Sequence, residues 1–328
     1  MAGAVALELA RAGRRPLLVA VPPVSEIGHA ATGPALAYSE AARRFGREGA
    51  REVWERFRES HERLRAFLAG IPDDCGYRQR GAFLLASDRT EAEALADSED
   101  MLREDAFPGE FLDHYMLETR FQVSGFAGAY WAHDDAELDA DRLATALRGA
   151  AVERGAALAD VGALRAVEAG PGGVDADGEK GRVRAKLGVI GQDAIVPLAG
   201  LALATRPGEQ LEARITPGVR LPSPSRTAEG RFGWQASEAA LRLRTSADPA
   251  ELDELLGGLH VRAGARRPEG VLVSEDRLPR LGPTADSTLL LACGPEPVGL
   301  AFAAARWIAE WLRTGRDPTP SAFRASRP

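Results

Sequence analysis

The sequence has little of what disulfide-stapled and metal-binding proteins use. Its 328 residues include only two cysteines, Cys75 and Cys293, which lie far apart and form no CxxC pair. We therefore expect neither a disulfide framework nor a cysteine-rich zinc site, and a reducing cytoplasm fits this usage best. The five histidines show no HxH or HExxH spacing, so the sequence predicts no metal site.

A surplus of positive charge and a long hydrophobic run are also missing. Lys and Arg number 41 against 48 Asp and Glu, giving a net charge of −7, which argues against a nucleic-acid partner. The apolar start, residues 1–12, lacks a basic beginning and is too short to span a bilayer, so we predict no membrane segment. With 45% hydrophobic and 27% charged residues, the chain has the composition and length of a two-domain globular protein.

Hydrophobic periodicity predicts an α/β protein with a strand-rich middle. A short helix ending at Gly13 precedes an apolar strand over 16–21, and a long amphipathic helix is predicted over 40–69. Because parallel sheets are built from strand–helix–strand units, a helix followed by a strand suggests that the first strand is missing before Met1. The acidic turn with Asp134, Asp135 and Glu137 is predicted to be solvated.

Three stretches carry a family resemblance. They are the opening MAGAVALELARAGRRPLLVA, the segment GAYWAHDDAELDADRLATALRGAAVERGA over 128–156, and the segment 264–327 with its closing strand, final helix and terminal Phe-Arg. Together they resemble, in the right order, the D-amino-acid oxidase, glycine oxidase and sarcosine oxidase family of FAD-dependent oxidoreductases. The resemblance covers most of the chain.

The resemblance implies an FAD-linked oxidoreductase-like fold of two interleaved domains. Residues 1–80, 140–200 and 265–328 would form a Rossmann-like dinucleotide-binding domain with a parallel sheet. Residues 81–139 and 201–264 would form a substrate domain on a mixed or antiparallel sheet. The flavin would accept a hydride equivalent from the carbon beside an amine, with a small-molecule amine or amino acid as the partner. A homo-oligomer is compatible with this arrangement.

The resemblance also assigns candidate residues. Substrate would be bound by Arg266, which matches the arginine that holds a substrate carboxylate, and by an aromatic wall of Tyr130 and Trp234. The residues implied to contact the cofactor are Gly3, Thr32, Gly33, Leu164, Gly294 and Gly299.

Several positions depart from the family pattern. Gly3 stands at the third position of the phosphate-binding G-x-G-x-x-G turn, whose first two glycines are absent. Ala20 stands where an acidic residue binds the ribose, the chain looks short near residue 190, and Pro295 and Pro297 replace polar residues of the last motif. Two explanations are open: Met1 is an internal methionine of a longer protein, or the dinucleotide motif is degenerate and the flavin has been lost.

Three functions therefore remain open. The first is FAD-dependent oxidation of an amino acid or secondary amine. The second is a flavin-free enzyme on the same fold that catalyses condensation, cyclisation or proton transfer. Its candidate catalytic residues are His29 and Glu296, because a His and a partly buried Glu can titrate near neutral pH, and Arg266 would act beside them. The third is a catalytically inactive binding subunit, a pseudoenzyme.

Overall fold

The computed structural model describes residues 1–20, 28–191, 195–201, 203, 205–216, 221–227, 232–237, 240–259, 261–272, 276–285, 288–294 and 297–325. Its helices are α1 (Ala2–Arg11), α2 (Tyr38–Leu68), α3 (Arg89–Glu104), α4 (His114–Phe121), α5 (Ala140–Glu153), α6 (Pro249–Gly258) and α7 (Pro297–Thr314). Short 3-10 turns occupy Pro197–Ala199 and Ser321–Phe323. No helix in these ranges is long and apolar enough to cross a membrane.

The strands of the first half are β1 (Leu17–Ala20), β2 (His29–Ala30), β3 (Arg78–Gln79), β4 (Ala82–Ala86), β5 (Gly109–Asp113), β6 (Gly128–Ala132), β7 (Ala136–Glu137), β8 (Ala157–Asp160), β9 (Leu164–Gly170) and β10 (Gly173–Gly178). Those of the second half are β11 (Gly181–Ala185), β12 (Gly188–Ile190), β13 (Thr205–Ile215), β14 (Ser225–Thr227), β15 (Phe232–Ala236), β16 (Ala240–Thr245), β17 (Val261–Leu272), β18 (Arg280–Pro283) and β19 (Leu289–Cys293). The chain is thus a mixed α/β protein, as the sequence predicts.

Two helices form where the periodic pattern predicts them, α1 ending before Gly13 and α2 over nearly the whole range 40–69. The long helix α2 buries Trp54, Phe57 and Leu64 on one face, while Arg–Glu pairs four residues apart line its other face. A residue with non-helical angles, Gly46 (φ 76°, ψ 162°), interrupts α2 and kinks it. Asp side chains accept backbone N–H groups at the starts of α3, α4, α5 and α6, which fixes where these helices begin.

Parallel pairs occur in two small sheets and, between β14 and β4, in the eight-stranded sheet. In one, β1 pairs with β8; in the other, β12 pairs in parallel with β19, and β18 follows in antiparallel. Helix α1 packs against α5 and α7, with Gly3 so close to α5 that an added Cβ would lie 3.1 Å from Leu147 Cβ. A third sheet, β11-β10-β9, is an antiparallel meander.

An eight-stranded sheet in the order β17-β13-β16-β15-β14-β4-β6-β5 forms the largest layer. Directly paired residues share a face, so the register divides its side chains into two sets. The helix-packed face carries Phe83, Trp234 and Leu243, which join a core with Leu252 of α6 and Leu117 of α4. The opposite face, called the loop-facing face below, turns toward residues 28–34.

A small sheet, β2-β7-β3, lies beside the loop-facing face. In it β7 is the central strand, pairing antiparallel with both neighbours. The Gly28 N–H donates to Gln235 Oε1 on β15 (3.2 Å), and the Gln235 side chain donates to the Leu138 carbonyl (2.9 Å). These bonds join the small sheet to the eight-stranded sheet and bring three distant segments of the chain together.

Candidate functional site

A buried polar cluster occupies this junction. It consists of His29 on β2, Thr32 in the following loop, Asp135 just before β7, and Arg226 on β14. Asp135 is 1% exposed, His29 4% and Arg226 7%. Charged groups are seldom buried to this extent unless they are paired, so the hydrogen bonds between these residues decide what the site can do.

Asp135 accepts three hydrogen bonds from the loop side. One carboxylate oxygen lies 2.7 Å from His29 Nε2, and the other accepts both the Thr32 backbone N–H (2.7 Å) and the Thr32 hydroxyl. Arg226 approaches from the sheet and donates to the carbonyls of Gly33 and Pro34, each at 3.1 Å. The loop over 29–34 is therefore held between a carboxylate and a guanidinium.

The tautomer of His29 follows from its two neighbours. Arg226 Nη1 lies 3.3 Å from His29 Nδ1, and because a guanidinium can only donate, Nδ1 must accept. The proton is thereby assigned to Nε2, which donates to Asp135. Both ring nitrogens are engaged within the protein, so this geometry makes His29 a link between Asp135 and Arg226.

Opposing effects set the ionisation of Asp135. Burial raises the pKa of its carboxyl, but the hydrogen bond from His29, the positive charge of Arg226 and the hydrogen bond from the Thr32 hydroxyl together hold that pKa below its ordinary value. The carboxylate is therefore charged at neutral pH. The cluster is a buried ion pair, Asp135 and Arg226, bridged by an imidazole.

A cavity of about 40 Å³ lies beside the cluster. Its polar end is formed by His29, Thr32, Asp135 and Arg226, and its other end is lined by Tyr38, Trp54, Phe107 and Tyr130. The Tyr130 hydroxyl is 3.4 Å from the Phe107 carbonyl, and burial raises the pKa of this phenol, so it stays protonated. A water molecule needs about 10–15 Å³ by this measure, so the cavity has room for two or three water molecules.

The prediction of a solvated acidic turn is wrong for Asp135. The residue lies next to Asp134 in sequence, but its side chain turns inward and finds His29 and Thr32, whereas Asp134 is half-buried and is contacted by Gln79 at 3.3 Å. No local pattern distinguishes the two aspartates. His29 and Thr32, the hydrogen-bond partners of Asp135, lie about a hundred positions away in the sequence. The sequence offers no signal for Arg226 either, because its contacts are also with distant residues.

The predicted substrate-binding residues do not meet at one place. Tyr130 lies on the loop-facing face and lines the cavity, but Trp234 lies on the helix-packed face, fully buried, with its indole donating to the Pro222 carbonyl at 3.0 Å. Arg266 is on strand β17, opposite Leu211, and is paired with Glu209 at 3.6 Å. Four strand spacings of ~4.8 Å separate β17 from β14, which places Arg266 roughly 19 Å from the cluster.

The predicted cofactor-contacting residues divide into two groups. Thr32 and Gly33 lie in the loop over 29–34, which Asp135 and Arg226 hold. Gly299, in the first turn of α7, packs against this loop, because an added Cβ at Gly299 would lie 2.9 Å from the Ala31 carbonyl oxygen. Gly294 follows β19 with a φ of 117°, close to this turn in sequence. Leu164 instead begins β9 in the meander, and Gly3 packs on α5. The proposed catalytic Glu296 lies outside the described residues.

A second polar pair joins α2 to Tyr77, the half-buried residue just before β3. His61 on α2 has its Nε2 2.7 Å from the Tyr77 hydroxyl, and its Nδ1 has no hydrogen-bond partner among the described residues. Burial lowers the pKa of His61, so the ring is neutral at neutral pH. The sequence offers no signal for this pair, because the two residues lie on separate elements.

Replacing Gly28 by alanine tests the tight junction under the cluster. The added Cβ would lie 1.7 Å from the Leu138 carbonyl oxygen, which belongs to the backbone just after β7 and cannot rotate away as a side chain could. We expect a loss of about 3 kcal/mol in the free energy of unfolding, measured by urea denaturation. Gly149→Ala is the matched control: its Cβ meets nothing within 4 Å on helix α5, so a gain of about 0.5–1 kcal/mol is expected. Equal effects of the two changes would contradict the observed packing.

This chain is similar to known proteins over nearly its whole length. The family model of the FAD-dependent oxidoreductases (DAO) matches residues 3–311. Among solved structures, glycine oxidase from Geobacillus kaustophilus is 19% identical with a TM-score of 0.71, the match covering 99% of this chain and 95% of that one. Iminodiacetate oxidase from Chelativorans sp. BNC1 is 16% identical with a TM-score of 0.69, covering 98% and 95%.

Glycine oxidase from Bacillus cereus ATCC 14579 gives a similar result, with 17% identity, a TM-score of 0.69, and coverage of 99% of this chain and 96% of that one. Identities this low show a shared fold and say nothing on their own about substrate. The search of curated proteins gave no significant match. Because the family model spans nearly all of the sequence, the chain belongs to the DAO family of FAD-dependent oxidoreductases.

Proposed function

We propose that this protein binds FAD and oxidises a small-molecule amino acid or another amine. The observation that carries the proposal is the position of the loop over 29–34. It is held between the eight-stranded sheet and the first turn of α7, with Gly299 against Ala31 and with Arg226 and Asp135 fixing the loop backbone. By the family resemblance, the flavin ring would lie at the interface of the two domains, and this loop would approach it.

The start of α1 fits the diphosphate of a dinucleotide. The helix has no side-chain cap and no acidic residue in its first turn, and its first internal hydrogen bonds run from Ala4 and Val5 to Met1. The N–H groups of Ala2 and Gly3 therefore stand outside the helix's own bonding, at its positive end. Gly191, at the end of β12, lies so near that an added Cβ would be 2.6 Å from Ala2 N. A backbone cradle of this kind suits an anionic phosphate.

Bound FAD would supply the acceptor for a hydride equivalent, and the chain's own residues would orient the reactants. Arg226 and Asp135 hold the backbone of the loop, and His29, whose ring nitrogens are both used, acts here as a positioning residue. Buried charges that are already paired need no rearrangement when a ligand binds, so they preorganise the wall of the site.

Spectroscopy of the purified protein tests the proposal. We expect absorbance in the flavin bands, or a gain in thermal stability when FAD is added. Free FAD at 100 times its Kd should add about 2.7 kcal/mol. FMN, which lacks the diphosphate bridge and adenosine, should stabilise less if the start of α1 binds the diphosphate. A colourless protein that gains no stability from FAD would overturn the proposal and leave the flavin-free enzyme and the inactive binding subunit.

A further inference from the structure

The cavity beside the buried cluster lies over a pair of small side chains. Ala82 on β4 and Ala132 on β6 are directly opposite each other, and both line the cavity. Two positions along the same strands, Leu84 and Tyr130 are opposite each other on the same face and line the cavity as well. The two alanines therefore leave a gap above the sheet, beside longer side chains.

The side chains that cover this gap come from α2 and α3 and belong to one apolar core. They are Tyr38, Trp54, Leu95 and Leu102, and all four are buried. Phe107, which follows α3, lies at the outer end of the cavity. There the guanidinium carbon of Arg58 lies 4.8 Å from the centre of the Phe107 ring. Because Arg58 is half-buried and the lining residue Pro108 is exposed, this end approaches the protein surface.

The inner end of the cavity reaches the loop over 29–34. Thr32 and Gly33, which the family resemblance assigns to the cofactor, line this end together with His29 and Arg226. The cavity thus extends from the half-buried Arg58 to the loop that would approach the flavin ring. A small molecule held in it would lie next to the proposed site of oxidation.

Three polar groups of the cavity wall already have partners within the protein. The Tyr38 hydroxyl donates to Asp105, and the Ser98 hydroxyl donates to a backbone carbonyl one helical turn before it at 2.6 Å. Arg58 donates to the Ala106 carbonyl at 3.3 Å. A buried water makes about three hydrogen bonds, so these walls offer water little, whereas apolar cavities take up uncharged molecules such as xenon.

We propose that this cavity binds dioxygen and that dioxygen is the electron acceptor of the amine oxidation. Its volume of about 40 Å³ is enough for one diatomic molecule. The inference rests on the proposed function and names the second substrate of that reaction. The amine loses a hydride equivalent from carbon and a proton from nitrogen, and a C=N bond forms. Dioxygen takes up these two electrons and two protons and leaves as hydrogen peroxide.

Crystals of the protein under xenon pressure, without added flavin, test the cavity. We expect a xenon site between Ala132, Tyr130 and Trp54. Ala132→Val should lower the xenon occupancy about 10-fold, because the two added carbons fill the gap, and Ala82→Val is a second variant that fills it from the neighbouring strand. Ala240→Val is the matched control, since this alanine is exposed on β16, and it should leave the xenon site unchanged.

Re-oxidation kinetics test the role of the cavity. Protein loaded with FAD and reduced by one equivalent of dithionite is mixed with dioxygen or with benzoquinone, a larger ring-shaped acceptor. Ala132→Val should slow re-oxidation by dioxygen about 10-fold more than re-oxidation by benzoquinone, because only the smaller acceptor uses the cavity. Valine is favoured in strands, so both cavity variants should fold, and circular dichroism verifies this.

Three results would overturn the proposal: ordered water and no xenon in the cavity, reduced protein that stays reduced in air, or equal slowing with the two acceptors. The two measurements also separate this inference from the proposed function. Xenon in a protein that takes up no FAD would uphold the apolar cavity but reject the acceptor role together with the flavin function. FAD uptake by a protein with no xenon site would uphold the flavin function and reject this inference.

Discussion

Asp135→Ala is expected to lower the free energy of unfolding by about 3–5 kcal/mol, because it leaves Arg226 buried without its counter-charge. It also removes the acceptor of the His29 ring, the Thr32 N–H and the Thr32 hydroxyl. Urea denaturation at pH 7 measures the loss. Asp134→Ala is the matched control, since the adjacent side chain is half-buried and has a single long contact, and it should cost less than about 1 kcal/mol.

The pH dependence of stability offers a second readout of Asp135. Its folded-state pKa lies below the unfolded value of about 3.9, so the carboxylate contributes stability above pH 3.9 and loses that contribution as pH falls through the folded-state pKa. Asp135→Asn should therefore be destabilised at pH 7 yet lose less further stability on acidification than the unchanged protein. Parallel stability curves for the two proteins below pH 4 would show that Asp135 is not the ionised centre of the cluster.

Arg226→Met should have an effect of similar size, about 3–5 kcal/mol. The substitution keeps an apolar stem of similar length but removes the donors to the Gly33 and Pro34 carbonyls and leaves the Asp135 carboxylate buried. The exposed Arg89, paired with Glu93 four residues along α3, gives the control Arg89→Met, which should change stability little.

A double-mutant cycle tells whether Asp135 and Arg226 act as a pair. Once one charge is gone, removing the second relieves an uncompensated buried charge, so the double variant should be more stable than the sum of the two single losses predicts, by about 0.5–3 kcal/mol. Loop contacts without electrostatic coupling would give additive losses. Additivity would therefore contradict the bridged ion pair described here.

Several helices can be predicted from the sequence because the residues that form them are close together in the chain. The apolar spacing of Trp54, Phe57 and Leu64 predicts α2, and Asp248 begins α6 in a capping box with Glu251. The family resemblance, carried by contiguous motifs, also gives the correct fold class. Thr32 and Gly33 could be assigned in advance for the same reason, since both lie in one continuous segment.

Local sequence motifs could not predict which side chains contact one another in the site. Whether Arg266 or Arg267 turns toward the loop depends on strand register, and the irregularity between Leu211 and Ala213 shifts that register. A motif identifies the neighbourhood of the arginine but not its face. Likewise, the burial of Asp135 depends on His29 and Arg226, which reach it only after two sheets, the small sheet and the eight-stranded sheet, have assembled.

The bridged ion pair also bears on how the protein folds. His29 is separated from Asp135 by 106 residues and from Arg226 by 197, so closing the cluster requires two long loops. Contacts of such high sequence separation cost loop entropy before they stabilise anything, and they form late. During synthesis, the loop over 29–34 leaves the ribosome long before β14 does. Until Arg226 emerges, His29, Thr32 and Asp135 lack the fourth member of the cluster, so the candidate site is completed only after more than two thirds of the chain has been made.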